Sequence, residues 1–370
     1  MVNKSRMINE FIELTKVDSL SRRERDMADM LKGKLEQIGY TVYEDNAGEV
    51  IGGNSGNLIC TVKGSSAVPA ILLMAHMDTV VPGTSKQAVI EGNIIRTDGT
   101  TVLGSDDLAG VECILEVLRV VKENGIQHGD IQIVFTVAEE IGLLGSKNLD
   151  YCRIYAKYGF VLDSGGPIGT VAIKAPSHNQ INVLINGKAA HAGIEPEKGI
   201  SAIQIASEAI SMMKNGRIDY ETTSNIGVIK GGQATNIVCD RVEIEAEARS
   251  RDEGKLEAQT HHMRECFEKA VNKHGGSMEF KVDREYPAFN INMDDPIISI
   301  LKNAACEAGV ELRLEATGGG SDTNIINSRG IRAVNLSVGM DKVHSVEEQI
   351  NIEDMIKAAE FLVAIIKNIK

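Results

Sequence analysis

The sequence predicts an α/β protein in which a doubly wound sheet domain is interrupted by a smaller ferredoxin-like α+β domain. Two observations carry this reading. Short apolar runs ending in polar residues alternate with helical patterns at both ends of the chain, as in a sheet covered on both faces. Between residues 176 and 286 the order changes to strand, helix, strand, strand, helix, strand, which is the split βαβ unit. The expected boundaries are residues 1–175 and 287–370 for the two parts of the main domain and 176–286 for the insertion. A chain of 370 residues is long enough for a main domain plus a smaller one.

The elements follow in order. "MVNKSRMINEFIELTKVDS" has an amphipathic helical spacing with charges throughout, and lacks the uninterrupted apolar stretch of a signal peptide. "AILLMAHMD" (70–78), "DIQIVFTVAEE" (130–140) and "YGFVLDSGG" (158–166) read as buried strands whose last residues are polar. Between the first two, "SDDLAGVECILEVLRVVKENG" has acidic residues early and Gly125 at its end, the start and stop signals of a helix. In the insertion, "HNQINVLING" alternates, "GISAIQIASEAISMMKNG" is helical, "SNIGVIKGG" and "ATNIVCDRVEIEAEARS" read as strands, "KLEAQTHHMRECFEKAVNKHGG" is helical, and "SMEFKVDREY" closes the unit. After residue 287 come a helix over "DPIISILKNAACEAG", the glycine loop "TGGGSDTN", a strand over "GIRAVNLSVG", "MDKVHS" and a last amphipathic helix.

Composition narrows the function classes. Hydrophobic residues at 43% and charged ones at 25% are ordinary globular values. The net charge of −13 is scattered, and no Lys/Arg-rich segment exists that could track a phosphate backbone, which argues against nucleic acid as a partner. No apolar stretch approaches the roughly 18 residues of a membrane span. Cys60, Cys113, Cys152, Cys239, Cys266 and Cys306 are widely spaced with no C-x-x-C and mostly lie in apolar periodic segments, so they read as buried, reduced thiols of a cytoplasmic protein.

The polar residues at the ends of the sheet segments are His76, Asp78, Asp106, Asp107, Glu139, Glu140, Asp163 and His344. In open α/β sheets chemistry gathers at the carboxyl ends of strands. Two histidines among several carboxylates suit Zn²⁺, or Mn²⁺ or Co²⁺ if oxygen ligands dominate. With carboxylates to spare, two ions about 3.5–4 Å apart become feasible. His76 and Asp78, one residue apart in an extended segment, face the same way, so one can ligate while the other orients it. The pair alone fits a hydrogen-bonded core histidine equally well. Asp106 and Asp107 open a helix, where an N-cap would explain one of them, but both lie in "GSDDLAG" and Asp106 could bridge two ions. Adjacent Glu139 and Glu140 repel unless a cation intervenes or one takes a proton, which a division of labour resolves: Glu140 on metal and Glu139 as general base.

Seven motifs in order, "AHMDTV", "GSDDLAG", "AEEIGLLGS", "VLDSG", "GKAAHAG", "GGGSDTN" and "VHSVEE", resemble the peptidase T-like branch of the di-zinc aminopeptidase, deacylase and carboxypeptidase superfamily, across nearly the whole chain. The resemblance implies a zinc-peptidase-type catalytic domain with the insertion as a lid and dimerisation domain. It implies two Zn²⁺ per subunit, His76, Asp106 and Asp163 holding one with Asp106 bridging, and Glu140 and His344 completing the other. Asp78 would orient His76, and Glu139 would pass a proton from the attacking water to the leaving amine. By the same resemblance His191 polarises the scissile carbonyl, often in the partner subunit, and Asn236 and Arg249 hold a substrate carboxylate. Gly319, in the glycine loop, would let a ligand approach the backbone closely. His178, Asp107, His261, His262, His128 and His274 receive no role.

The expected function is hydrolysis of the N-terminal peptide bond of short peptides by a cytoplasmic homodimer. A deacylase or carboxypeptidase of the same superfamily is the alternative, since the same metals serve either bond. A non-catalytic peptide-binding protein is the remaining one, against which stands Glu139, a base such a protein has no use for.

Overall fold

Apolar runs that the sequence places far apart meet in a twelve-stranded mixed sheet. The computed structural model describes residues 1–370. The chain begins with α1 (Lys4–Thr15) and continues through β1 (Leu58–Val62), β2 (Ile71–His76), α2 (Ser105–Asn124), β3 (Ile131–Thr136) and β4 (Tyr158–Gly165). Then come β5 (Ser177–Asn186), α3 (Ala202–Met212), β6 (Thr222–Gly231), β7 (Arg241–Ser250), α4 (Glu253–His274) and β8 (Ser277–Tyr286). It closes with α5 (Pro296–Ala308), α6 (Asp322–Ser328), β9 (Arg332–Asp341), β10 (Gln349–Asn351) and α7 (Ile352–Asn368). No helix is long and apolar enough to cross a membrane.

Two units emerge. The first comprises Met1–Ile173, Asn290–Ala316 and Ser321–Lys370; the second comprises Lys174–Phe289 with Thr317–Gly320. In the first unit the strand order β1-β3-β2-β4-β9-β10 holds a parallel centre of β3, β2, β4 and β9, with antiparallel strands toward both edges. Every residue of β2 and β3 is buried. That is why these strands read as continuous apolar runs instead of alternating ones: helices cover both faces. Helix α2 packs on β2, β4, α1 and α7 and is buried over most of its length, its acidic Glu112 and Glu116 included. It ends at Gly125 in the left-handed region with φ +58°, as the sequence signal requires.

The second unit is a single antiparallel sheet in the order β6-β7-β5-β8, the split βαβ arrangement. Its strands alternate because only one face is covered: Ile181, Val183 and Ile185 of β5 and Val242, Ile244 and Ala246 of β7 form one core with Ala202, Ile205 and Ala206 of α3 and Phe267 of α4. One expectation fails here. The strand expected from residue 234 starts only at Arg241. The preceding Ala234–Asp240 stretch is drawn off by the 190–192 turn, with Ala192 N–H donating to Asn236 O (3.0 Å) and Val238 N–H to Ala190 O (2.9 Å). Apolar Ile237 and Val238 imitate a strand pattern but serve a loop.

Candidate metal centre

The elements converge where the winding of the sheet reverses. From β2 the chain passes through α2 to β3 on one side, then returns to β4 on the other. Loops leaving such a point diverge and open a crevice at the strands' carboxyl ends. His76 is the last residue of β2, Glu139 and Glu140 follow β3, Asp163 lies near the end of β4, and His344 follows β9.

Local chemistry shapes each segment. After β3, Ala138 has φ +50°, an uncommon left-handed conformation for a residue with a Cβ. Its N–H is held by buried Glu24 (3.0 Å) and that of Val137 by Asn57 (3.1 Å), so the chain turns before the two glutamates. Asp106 and Asp107 were expected at a helix entrance; both depart from helical geometry (φ −86°, ψ 102° and φ −120°, ψ 31°), and the peptide bond between them is cis. Gly110 lets the start of α2 press on β4, because a Cβ there would stand 2.5 Å from Leu162 O. Asp163 is bracketed by Asn335 of β9, which accepts from its N–H at 2.9 Å and donates to its carbonyl at 2.6 Å. His344 sits at φ +60° with its side chain half exposed.

Asp106 turns one oxygen to each histidine. Its Oδ1 lies 3.0 Å from His76 Nε2 and its Oδ2 3.2 Å from His344 Nε2. Glu140 meets His344 Nε2 at 3.0 Å, and Asp163 Oδ1 is 4.0 Å from His76 Nε2. The ligand atoms of His76, Asp106 and Glu140 lie within 4.8 Å of one another, as do those of His76, Asp107 and Asp163. Asp78 behaves differently from expectation. His76 Nδ1 meets the Asp78 main-chain carbonyl at 2.9 Å, with the carboxylate Oδ1 at 3.6 Å. That carboxylate instead accepts from Ser21 Oγ (2.6 Å) and from the N–H groups of Glu139 (2.9 Å) and Glu140 (3.2 Å). One residue thus orients the imidazole through its backbone and the glutamate pair through its side chain.

Electrostatics tests whether cations suit this donor set. Burial, then Asp163, pushes Glu139 well above the ordinary carboxyl range; burial, then Asp106, does the same to Asp163. Asp107 rises through burial and Asp163. Burial acts against Asp106 too, but hydrogen bonds from His344 and His76 outweigh it and hold Asp106 low. Those contacts with Asp106 and Glu140 raise His344 to about 10. So many buried acids around two imidazoles are short of positive charge. Divalent ions with mixed nitrogen and oxygen preference would supply it.

The second unit carries the remaining candidates. His191 is exposed, its Nδ1 accepting from Gly193 N–H at 3.2 Å, and it forms an isolated bridge with Ile237, beside Asn236. Arg249 of β7 is held by two bonds to Glu247 (2.9 and 3.1 Å) and one to the Tyr286 hydroxyl (3.4 Å). Gly319 is exposed and donates to Thr317 Oγ1 at 3.2 Å. Neither Arg249 nor Gly319 hydrogen-bonds to the His191 and Asn236 turns.

Sequence reasoning passed over several residues that shape the centre. Asp107 accepts from His76 N–H (3.2 Å) and Gly110 N–H (3.2 Å). Glu24 is fully buried, and burial, then Asp78, lifts it to about 7. Asp322, in "TGGGSDTN", accepts from Thr136 Oγ1 (2.6 Å) and Ser146 Oγ. Glu348 accepts four bonds from the Asp106 loop. The doubled acids "DD" and "EE" were the available signal for Asp107 and Glu348; nothing local marks Glu24.

The profile of peptidase family M20/M25/M40 matches residues 72–368. A Bacillus subtilis relative, "Uncharacterized protein YqjE", is 47% identical over 367 residues, 99% of each chain. Among solved structures, aminopeptidase PepT from Bacillus cereus is 46% identical with a TM-score of 0.92, covering 99% of each chain. A tripeptidase from Staphylococcus aureus is 42% identical with a TM-score of 0.96, covering 99% of this chain and 98% of that one.

Proposed function

The chain belongs to peptidase family M20/M25/M40 and is a metal-dependent peptidase; on that premise we propose that it is a di-zinc aminopeptidase removing the N-terminal residue of tripeptides. The observation that carries the metal centre is Asp106, whose two oxygens face two histidines from separate segments. Aminopeptidase and tripeptidase relatives at 46% and 42% identity over nearly the full length support the substrate class.

His76, Asp106 and Asp163 would hold one Zn²⁺, and Asp106, Glu140 and His344 the other. Bound there, the ions supply Lewis-acid polarisation of the scissile carbonyl and a lowered water pKa. The protein's own groups do the rest. Glu139, buried and held in place through Asp78, takes a proton from the water whose oxygen attacks the carbonyl carbon. As the C–N bond breaks, Glu139 returns that proton to the departing amine nitrogen.

By resemblance, His191 would polarise the carbonyl and Asn236 and Arg249 would take the peptide's carboxylate, while the glycine loop would let the backbone at Gly319 approach the substrate. Arg249 already presents a fork suited to a carboxylate, occupied by Glu247. A homodimer through the second unit, with His191 acting across it, belongs to the same reading. The six cysteines are all unpaired, which accords with a cytoplasmic setting, although Cys152 and Cys306 are exposed and not buried as expected.

The test is hydrolysis of a free tripeptide and of its N-acetylated twin by Zn²⁺-reconstituted protein, with chelated protein as control. Cleavage of the free peptide alone, lost on chelation, is expected. Preference for the acetylated twin would move the function to deacylation on the same centre.

A further inference from the structure

Glu348 lies four residues after His344 and is 1% exposed. Its Oε2 accepts from the N–H groups of Leu103 (2.7 Å) and Gly104 (2.9 Å). Its Oε1 accepts from Ser105 Oγ (2.6 Å) and from the N–H of Asp106 itself (3.1 Å). The carboxylate is therefore wrapped by four donors from four consecutive residues, the last of which is the acid that faces both histidines. Its backbone belongs to the other side of the centre. Glu348 N–H donates to Ser345 O (3.2 Å), Ser345 Oγ donates to Lys342 O (2.7 Å), and these bonds close the turn that carries His344.

One side chain thus ties the Asp106 loop to the His344 turn. No other side chain hydrogen-bonds across that pair of segments except the facing groups themselves. His76 and Asp163 are placed independently, at the ends of parallel strands β2 and β4. We infer that Glu348 is a positioning residue that sets the gap between Asp106 and His344, and so governs chiefly the site made by Asp106, Glu140 and His344. Hydrogen-bonding groups behind metal ligands commonly change affinity by about 10–100-fold. Asp106 serves both ions, so both feel the tie, but only the site that also uses His344 has both of its segments held by it, and the larger effect falls there.

The inference rests on the two-ion reading above, and calorimetric titration of metal-free protein with Zn²⁺ separates the two. Wild type is expected to take up two ions. Uptake of none or one would remove the two-ion reading, and this inference with it. Given two, Glu348→Gln, which keeps the volume but sets an NH₂ group against backbone N–H donors, is expected to weaken one ion about 10–100-fold and the other distinctly less. At subsaturating Zn²⁺ its kcat should fall with KM for the tripeptide unchanged, and excess Zn²⁺ should restore kcat. Both ions bound as in wild type, or both weakened equally, would overturn the assignment; equal weakening is what a general loosening of the fold produces. Ser105→Ala removes one of the four bonds and is expected to give the same unequal loss, smaller in size. If Glu348→Gln does not fold, Ser105→Ala decides by the same criterion.

Discussion

Two groups of buried acids occupy the first unit, and they meet the same repulsion by different means. Between α1 and α2, Glu10 is bound by Arg119 and by Lys34 (2.9 Å), and Glu116 by Arg6 through two bonds of 2.6 and 2.9 Å. Burial pushes Glu10 up, but hydrogen bonds from Arg119 and Lys34 outweigh it and leave this acid below the ordinary range. At the strand ends no Lys or Arg intervenes, and Glu139, Asp107 and Asp163 are driven up. Side-chain cations balance one group within the fold. The other keeps an excess of negative charge that only protons or external cations relieve, and this deficit separates a binding centre from a structural network.

The largest expected effect probes the centre without disturbing that balance. Glu139→Gln should lower kcat by about 10²–10⁴, the usual contribution of a positioned general base. Uptake of two Zn²⁺, followed by metal analysis, should be retained. Substantial residual turnover would remove Glu139 from the proton transfer.

Metal removal comes next, because it acts on one group and not on the other. An ion at about 100 times its Kd stabilises a protein by roughly 2.7 kcal/mol, so chelation should lower Tm by several degrees. In Arg6→Met the same chelation should produce the same drop, starting from a lower baseline. That baseline is the third prediction. Removing Arg6 leaves Glu116 buried with one remaining N–H, from Asn3 (2.7 Å). Breaking a fully buried pair costs about 3–5 kcal/mol. With Arg6 27% exposed, about 2–3 kcal/mol is expected in denaturant unfolding, with kcat unchanged.

The contrast also explains what could be read from sequence. His76, Glu139, Glu140 and Asp163 were legible because each ends an apolar run too continuous to be anything but a covered strand, and polar residues there need a reason. The ferredoxin-like unit was legible because its strands alternate, one face covered and the other not. Roles set by contacts across the fold were not. Asp78 stands beside His76 in sequence, yet its carboxylate serves Glu139 and Glu140, 61 and 62 residues away. Glu348 reads as one of two surface acids until the Asp106 loop closes around it, 242 residues distant. The strand pattern of residues 234–240 was misleading because periodicity records which side chains are apolar, while the turn at 190–192 decides which backbone groups are free to pair.

The smallest expected effect asks whether the balanced group is fully balanced. Glu112 lies in the same interface, fully buried, and no donor reaches its carboxyl oxygens. Burial, then the neighbouring Glu10 carboxylate, places it well above the ordinary range. A group whose folded pKa is raised favours the native state fully below its unfolded pKa, about 4.3 for Glu, and loses that contribution as pH climbs through the folded value. Glutamine resembles the protonated acid and has no proton to lose. Glu112→Gln should therefore match wild type near pH 4 and gain on it as pH rises above that. Each unit of upward displacement corresponds to about 1.4 kcal/mol, or roughly 2 °C in Tm for a chain of this size. Melting both proteins with metal saturated at every pH cancels what the metal centre contributes. A difference that does not grow with pH would mean that Glu112 ionises freely in the fold, and that the Arg119 and Lys34 charges reach one acid further than their hydrogen bonds do.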